Sequence, residues 1–290
     1  MRVVDRPEQL ERTPRSVALG TFDGVHRGHR RVLDTLVAGS DRSRPTVVTF
    51  APHPRAVLGN RVELLTTLER RLELIADAGV AETLVVEFTP QLAATDAEAF
   101  AEALLRPIGT ELVVAGAGFR FGRARVGDLT LLERLGFAVE PVALLDGVSS
   151  TAIRERLRAG DVVTAARGLG RAPELDGIVV SGDARGGTLG YPTANLRTDP
   201  ELLAPANGIY AGAALGYRAA VSIGTNPHYG GTERRVEAFL LDFDGDLYGR
   251  RLVVELWQRL RDEQAFASEE ELIAQIATDV EATRAARRPV

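Results

Sequence analysis

The stretch Ser16-Val-Ala-Leu-Gly-Thr-Phe-Asp-Gly-Val-His-Arg-Gly-His29 constrains the fold more than any other part of the chain. Its apolar start, Ser16 to Leu19, reads as a buried strand. Gly20-Thr-Phe-Asp-Gly24 is a tight turn, and Val25 onward reads as a helix with Val25, Leu33, Leu36 and Val37 on its apolar face. A strand, a glycine turn and a helix in that order aim backbone N–H groups and the positive helix end at one point, which suits a phosphate. His26 and His29 lie three apart, so both fall on one face of the first helical turn. Imidazoles there can donate hydrogen bonds to phosphate oxygens as charge builds on them. The alternatives are a solvated surface pair or half of a zinc site, and a chain with no cysteine and four histidines supplies zinc ligands poorly.

The pattern of strand then helix repeats through the first half. Pro45 to Phe50 is an apolar strand that runs into Ala51-Pro-His-Pro54, so His53 also follows a strand end, though surface loops carry histidine readily. Leu64 to Ala78 has helical spacing (Leu65, Leu68, Leu72, Ile75). Further strands are expected at Glu82–Phe88, Glu111–Gly116 and Ala138–Leu144, and helices at Asp96–Leu105 and Leu129–Leu135. Alternation of this kind argues a parallel sheet whose ligands sit outside the strand C-termini. The loop Gly116-Ala-Gly-Phe-Arg-Phe-Gly122 follows one such end. Ser149-Ser-Thr-Ala-Ile-Arg154 opens another helix. Its hydroxyls are ordinary N-caps, yet Ser150, Thr151 and Arg154 in one first turn also make a second phosphate cradle.

Near Leu169-Gly-Arg-Ala-Pro173 helical periodicity stops. Short strands with glycine turns follow (Asp176–Gly182, Gly208–Ala214, Ala219–Ile223, Val236–Phe243, Leu252–Trp257), a spacing that suggests a small antiparallel barrel. Ser268-Glu-Glu-Glu271 is a capping box that starts a closing helix with Leu272, Ile276 and Val280 on one stripe. In Gly182-Asp-Ala-Arg-Gly-Gly-Thr-Leu-Gly-Tyr-Pro-Thr-Ala-Asn195 the glycines, Gly182, Gly186 and Gly190 among them, let backbone approach phosphates. Beyond Pro192, Thr193 and Asn195 point the same way in extended chain and offer oxygens of the kind Mg²⁺ takes. Strict alternation puts Glu237 on one face with Phe239, Leu241 and Phe243, where a carboxylate is either at an edge or functional.

Composition narrows the chemistry further. All 35 basic residues are arginine. Without lysine there is no P-loop, no protein-kinase strand lysine and no Schiff base, so phosphate chemistry must rest on Arg, His, backbone amides and a metal. A net charge of −5 gives no sequence-wide basic field for nucleic acid. No run of about eighteen apolar residues is present to span a membrane. The N-terminus has no apolar signal region and the chain has no cysteine, which together fit a cytoplasmic protein.

With these residues in view, Gly-Thr-Phe-Asp-Gly-Val-His-Arg-Gly-His resembles the G-x-F-D-G-x-H-x-G-H signature of nucleotidyltransferases. More narrowly, the chain resembles the bacterial bifunctional riboflavin kinase/FAD synthetase family. Thr-Phe-Ala-Pro-His-Pro, the Gly116–Gly122 loop, Ser-Ser-Thr-Ala-Ile-Arg, Leu-Gly-Tyr-Pro-Thr-Ala-Asn and Val-Glu-Ala-Phe-Leu-Leu-Asp-Phe carry the match in the family's order. The resemblance implies a Rossmann-like FMN adenylyltransferase domain over residues 1–170 and a β-barrel riboflavin kinase domain over 171–290. It implies ATP as co-substrate, Mg²⁺, and riboflavin, FMN and FAD as substrates or products. It also implies phosphate contacts at Gly20, Phe22, Asp23, Gly24, Ser150, Thr151 and Arg154, and a flavin loop at His53, Gly116 and Phe119. For the kinase it implies Glu237 as the catalytic base, with Thr193 and Asn195 at the metal. Gly118 stands where the family usually has Asp or Asn, Gly187 where it often has Arg or Lys, and His228 where it usually has Thr. Two rival readings are a first domain that serves another nucleotidyl acceptor and a flavin carrier with decayed catalysis.

Overall fold

The structure, a computed structural model, describes residues 1–40, 42–181, 191–225 and 234–290. They divide into two compact units, one of residues 1–62 and 68–148 and one of residues 63–67 and 149–290.

The first unit is a parallel sheet of six strands: β1 (Arg2–Val4), β2 (Arg15–Leu19), β3 (Arg44–Ala51), β4 (Glu82–Glu87), β5 (Thr110–Gly116) and β6 (Ala138–Val142). Its order is β1-β4-β3-β2-β5-β6. The helices of this unit are α1 (Arg27–Ala38), α2 (Pro54–Val57), α3 (Leu68–Ala76), α4 (Pro90–Ala93), α5 (Ala97–Phe100, continued as a π-helical turn through Leu105) and α6 (Leu129–Arg134). Strand β2 is buried at every position, as a strand covered on both faces must be. Its side chains alternate between two cores. Ala18 packs with Leu33 and Leu36 of α1 and Ile75 of α3, while Val17 and Leu19 pack with Phe100, Leu105 and Leu132 from the other layer. From β2 the chain winds one way through β3 and β4 and then resumes on the other side with β5, so the strand order reverses between β2 and β5. In open α/β sheets a ligand crevice lies outside the carboxyl ends of the strands at such a reversal.

The second unit is a closed barrel of β7 (Glu174–Val180), β8 (Ala194–Thr198), β9 (Gly208–Ala214), β10 (Tyr217–Thr225), β11 (Arg234–Leu240) and β12 (Arg251–Arg261), ordered β10-β11-β8-β7-β12-β9. Every pairing in it is antiparallel. Leu215 and Gly216, both at positive φ, join β9 to β10 in the two-residue turn that matches strand twist. The closing helix α9 (Glu269–Ala285) packs on β9 and β10. Ser268 caps it by accepting the Glu271 N–H, and the Glu271 carboxylate accepts the Ala267 N–H.

The units differ from the sequence expectation in instructive places. Helices α7 (Ser150–Arg158) and α8 (Val162–Leu169) fall in the barrel unit, which takes up the chain again at Ser149, and β7 starts at Glu174, just past the change of periodicity near residue 170. The reason is packing: Ile153, Leu157, Val162, Ala165 and Leu169 join Leu175, Tyr210 and Leu256 in one core. Leu64 and Leu65, read as the start of a helix, sit instead in the barrel unit, where the Leu64 N–H donates to Glu201 O at 2.6 Å and Leu64 O accepts from Leu203 N at 2.8 Å. Helix α3 therefore begins only at Leu68. The short edge strand β1, paired with β4, carries no periodic signal and was not expected.

Candidate functional site

Gly20 follows the carboxyl end of β2, and the chain then turns sharply. Phe22, Gly24 and Val25 all have positive φ, at 51°, 83° and 36°. Only glycine adopts that region freely, so two of the three residues hold it against their own preference, as strained turns at functional sites do. Helix α1 consequently starts at Arg27, two residues later than periodicity suggests, and Val25 is a buried turn residue rather than part of the helical face.

His26 is the N-cap. Its Nδ1 accepts the His29 N–H at 3.2 Å. A ring that accepts at Nδ1 carries its proton on Nε2 when neutral. The rings of His26 and His29 stack, with centroids 3.6 Å apart and planes 14° apart. The expected shared face is thus realised as direct ring contact. His29 Nδ1 is buried with no hydrogen-bond partner among the described residues. Burial, the neighbouring His26 and the cation of Arg71 all push the His29 pKa well below the usual histidine value, so at neutral pH His29 is an uncharged imidazole.

The other sheet residues gather at the same end of the strands. Asp23 is 2% exposed. Phe22 is buried, and its ring lies 5.2 Å from the His29 ring, so its side chain shapes the turn. Gly116 ends β5, across the β2–β5 reversal, and Phe119 stacks on Phe121 with ring planes 14° apart. His53, after β3, repeats the device of His26: it caps α2, and its Nδ1 accepts the Arg55 N–H at 3.2 Å.

Sequence reasoning missed one residue here. Arg71, on α3, is 4% exposed. Its Nη1 donates to Thr21 O at 2.6 Å and to Phe50 O at 3.3 Å, which joins the turn leaving β2 to the end of β3. It lies on the stripe of Leu68 and Ile75, three and four residues away, and an arginine on an otherwise apolar helical face is the signal that could have found it.

Ser150, Thr151 and Arg154 fall in the barrel unit. Ser149 caps α7 by accepting the Ala152 N–H at 3.1 Å, and Ser150 and Thr151 occupy the first turn. Arg154 is buried, and its Nε donates to the carbonyl of Glu63 at 2.6 Å.

On the barrel, β11 pairs with β8 so that Glu237 stands opposite Asn195. Directly opposed residues of an antiparallel pair put their side chains on one face about 5 Å apart. Val236, Ala238 and Leu240 fill the barrel, which places Glu237 and Phe239 on its outer face. Strand β11 ends at Leu240, and Asp242 turns at positive φ, so Leu241 and Phe243 do not extend that face as strict alternation suggests. Arg235, two residues from Glu237, forms an ion pair with it. Pro192 and Thr193 lead into β8, and Tyr191 meets Phe239 edge to face at 5.4 Å. The pairing Val180–Asn195 brings the end of β7 to the same place. Gly182, Gly186, Gly187, Gly190 and His228 lie outside the described residues.

Comparison with known proteins finds two families, one in each half of the chain. Residues 8–152 match the FAD synthetase family model and residues 169–287 the riboflavin kinase family model. The bifunctional riboflavin kinase/FMN adenylyltransferase of Escherichia coli strain K12 is 35% identical over 96% of this chain and 96% of its own. That of Listeria monocytogenes is 36% identical over 93% of this chain and 91% of its own. A Streptococcus pneumoniae crystal structure described as a macrolide-efflux protein superposes with a TM-score of 0.87 at 30% identity, covering 97% of this chain and 98% of that one. Among the described residues of the present chain, no helix is long and apolar enough to cross a membrane. Over nearly its whole length, with both constituent domains in order, the chain belongs to the bifunctional riboflavin kinase/FMN adenylyltransferase family.

Proposed function

We propose that this enzyme phosphorylates riboflavin on the barrel face that carries Glu237 and Asn195, and adenylylates FMN at the β2–β5 end of the sheet. The two reactions are those of the family: riboflavin and ATP give FMN and ADP, and FMN and a second ATP give FAD and pyrophosphate. The observation that carries the assignment of residues is the register Glu237–Asn195. It sets a carboxylate beside an amide on one face of the barrel.

In the kinase reaction Glu237 takes the proton of the ribityl 5′-hydroxyl while that oxygen attacks the γ-phosphorus, and the bond to the ADP oxygen breaks. The Thr193 hydroxyl and the Asn195 amide oxygen are hard donors of the type that Mg²⁺ shares with phosphate oxygens, and they are the residues that would hold it. Bound there, the ion would neutralise charge on the β- and γ-phosphates. Gly182, Gly186, Gly190 and Pro192 supply the approach of backbone to nucleotide and flavin.

In the adenylyl transfer an FMN phosphate oxygen attacks the α-phosphorus of ATP, and pyrophosphate leaves. Gly20, Asp23 and Gly24 shape the turn, and the N-terminus of α1 offers its free N–H groups. His26 and His29 enter as donors whose hydrogen bonds strengthen as negative charge grows in the transition state. The loop of Gly116 and Phe119, with His53, borders the flavin side. Incubation with riboflavin, ATP and Mg²⁺, followed by chromatography of the flavins, tests the assignment at its base: FMN is expected first and FAD later. A reaction that yields no phosphorylated flavin removes it.

A further inference from the structure

A buried arginine is costly to keep. Its guanidinium stays charged at any pH a protein survives, and desolvation of that charge is offset only by good partners. Arg71 nevertheless sits in the first unit at 4% exposure. Its acceptors are the Thr21 and Phe50 carbonyls, at 2.6 and 3.3 Å, with the Thr49 hydroxyl at the edge of bonding range, 3.5 Å. Thr49 itself donates to Thr21 O at 3.1 Å. The Nε of Arg71 is buried and has no partner among the described residues. Purely as a structural clamp this is a poor bargain, because neutral carbonyls repay a buried cation weakly and one donor is left unmade.

The charge does act on its surroundings. Asp23, itself buried, favours it, and it disfavours a proton on His29. The groups that face His29 are His26, stacked on it, Phe22, beside it, and Arg71. Two of the three bear on its charge in the same direction.

We propose that Arg71 is a positioning residue for adenylyl transfer, pinning the Thr21 and Phe50 carbonyls so that the strained Gly20–Gly24 turn presents His26 and His29 in register. Thr21 is the residue between Gly20 and the positive-φ turn, so its carbonyl is the lever through which one side chain on α3 sets the path of that turn. The inference rests on the reading of the two histidines as phosphate donors, and the test separates the two ideas.

Arg71→Met removes the fork and the charge at nearly constant volume. Arg71→Lys keeps the charge but replaces a planar fork by a single point. Both variants are assayed for FMN adenylylation and, in the same preparation, for riboflavin phosphorylation, with the pH profile of adenylylation kcat/KM. Arg71→Met is expected to lower adenylylation kcat by about 10²-fold, the loss that a misplacement of about 1 Å produces. The KM for ATP should stay within a few-fold and the kinase rate should be unaltered. The acidic limb of the profile should move to higher pH, because His29 loses the cation that opposes its protonation. Arg71→Lys should restore the limb but not kcat. Unchanged kcat and an unmoved limb in Arg71→Met overturn the proposal. So does equal loss of both activities in both variants, which makes Arg71 a folding residue. If instead the histidine variants described below keep full FAD synthesis, the underlying reading of the site falls, and Arg71 with it.

Discussion

The sheet unit and the barrel unit both serve ATP chemistry, yet they place their polar groups by opposite means. In the sheet the groups stand on a turn held in unfavoured backbone conformations, with Phe22 and Val25 at positive φ, and a buried arginine braces it from behind. In the barrel Glu237 and Asn195 stand on paired strands whose hydrogen-bond ladder fixes their relation. The turn gains convergence of several N–H groups and two rings on one point, at the cost of strain. The ladder gains rigidity without strain, but it can bring together only side chains that the register already opposes. Damage to the turn should therefore spread to everything the turn presents, whereas damage on the ladder should stay with the side chain removed.

Four variants break or sharpen that contrast. His26→Ala with His29→Ala takes away both ring donors and the cap of α1 together. FAD formation from FMN should fall by about 10⁴-fold, because one lost donor to developing negative charge costs about 10²–10³ and two are lost here. Riboflavin should still be converted, so FMN accumulates. Equal loss of both products in a time course would mean that the division of labour is wrong.

Glu237→Gln leaves the ladder intact and alters one atom of the site. Kinase kcat should fall by about 10³-fold, inside the range of about 10²–10⁴ for a lost general base, with little change in riboflavin affinity. FMN supplied directly should become FAD at the normal rate. Near-full kcat in steady-state assays would take Glu237 out of the chemistry.

Gly28→Ala tests the turn more gently. A methyl group at Gly28 would meet the His26 ring at 3.1 Å (Cε1) and 3.2 Å (Nδ1), closer than carbon atoms rest. Alanine should otherwise favour the helix by about 0.5–1 kcal/mol. We expect adenylylation to drop about tenfold with thermal stability unchanged or higher, and the kinase to be unaffected. A variant with full adenylylation would show that the stacked rings tolerate displacement.

Gly118→Asn should act least, and in the other direction. Among the described residues a Cβ there meets Leu144 Cδ1 alone, at 3.6 Å, an ordinary contact, and the residue is not at positive φ. The side chain that the family usually carries can thus return without strain. FAD synthesis should rise a few-fold, and a fall would mean that the loop has adapted to glycine.

Much of this was legible in the sequence because the informative signals were local. The glycine turn follows an apolar run and precedes a helix, so its place at a strand end could be read directly. Glu237 and Asn195 sit in motifs whose order could be read too, although their register could not, since alternation along one strand says nothing about its partner. What escaped reading was set by distant packing. The stripe of α7 and α8 is equally apolar whichever core it joins, and only Leu175, Tyr210 and Leu256 decide the matter. Leu64 and Leu65 continue the helical spacing of α3, yet Leu64 bonds to Glu201 and Leu203, far along the chain. Arg71 drew no reading because its acceptors are backbone carbonyls, which no sequence pattern marks.

The closed ring of the barrel carries one more consequence. In an open sheet a strand can slide against its neighbour and leave the far edge untouched. Where the last strand returns to the first, a slip between β8 and β11 must be matched by slips in every other pairing of the ring. The separation of Glu237 and Asn195 is therefore a whole-number property of the molecule. It can change by two residues or not at all, since a single step would turn Glu237 into the barrel interior. Thermal motion and small shifts in core packing have no intermediate value to offer, and the spacing of the kinase groups is counted rather than tuned.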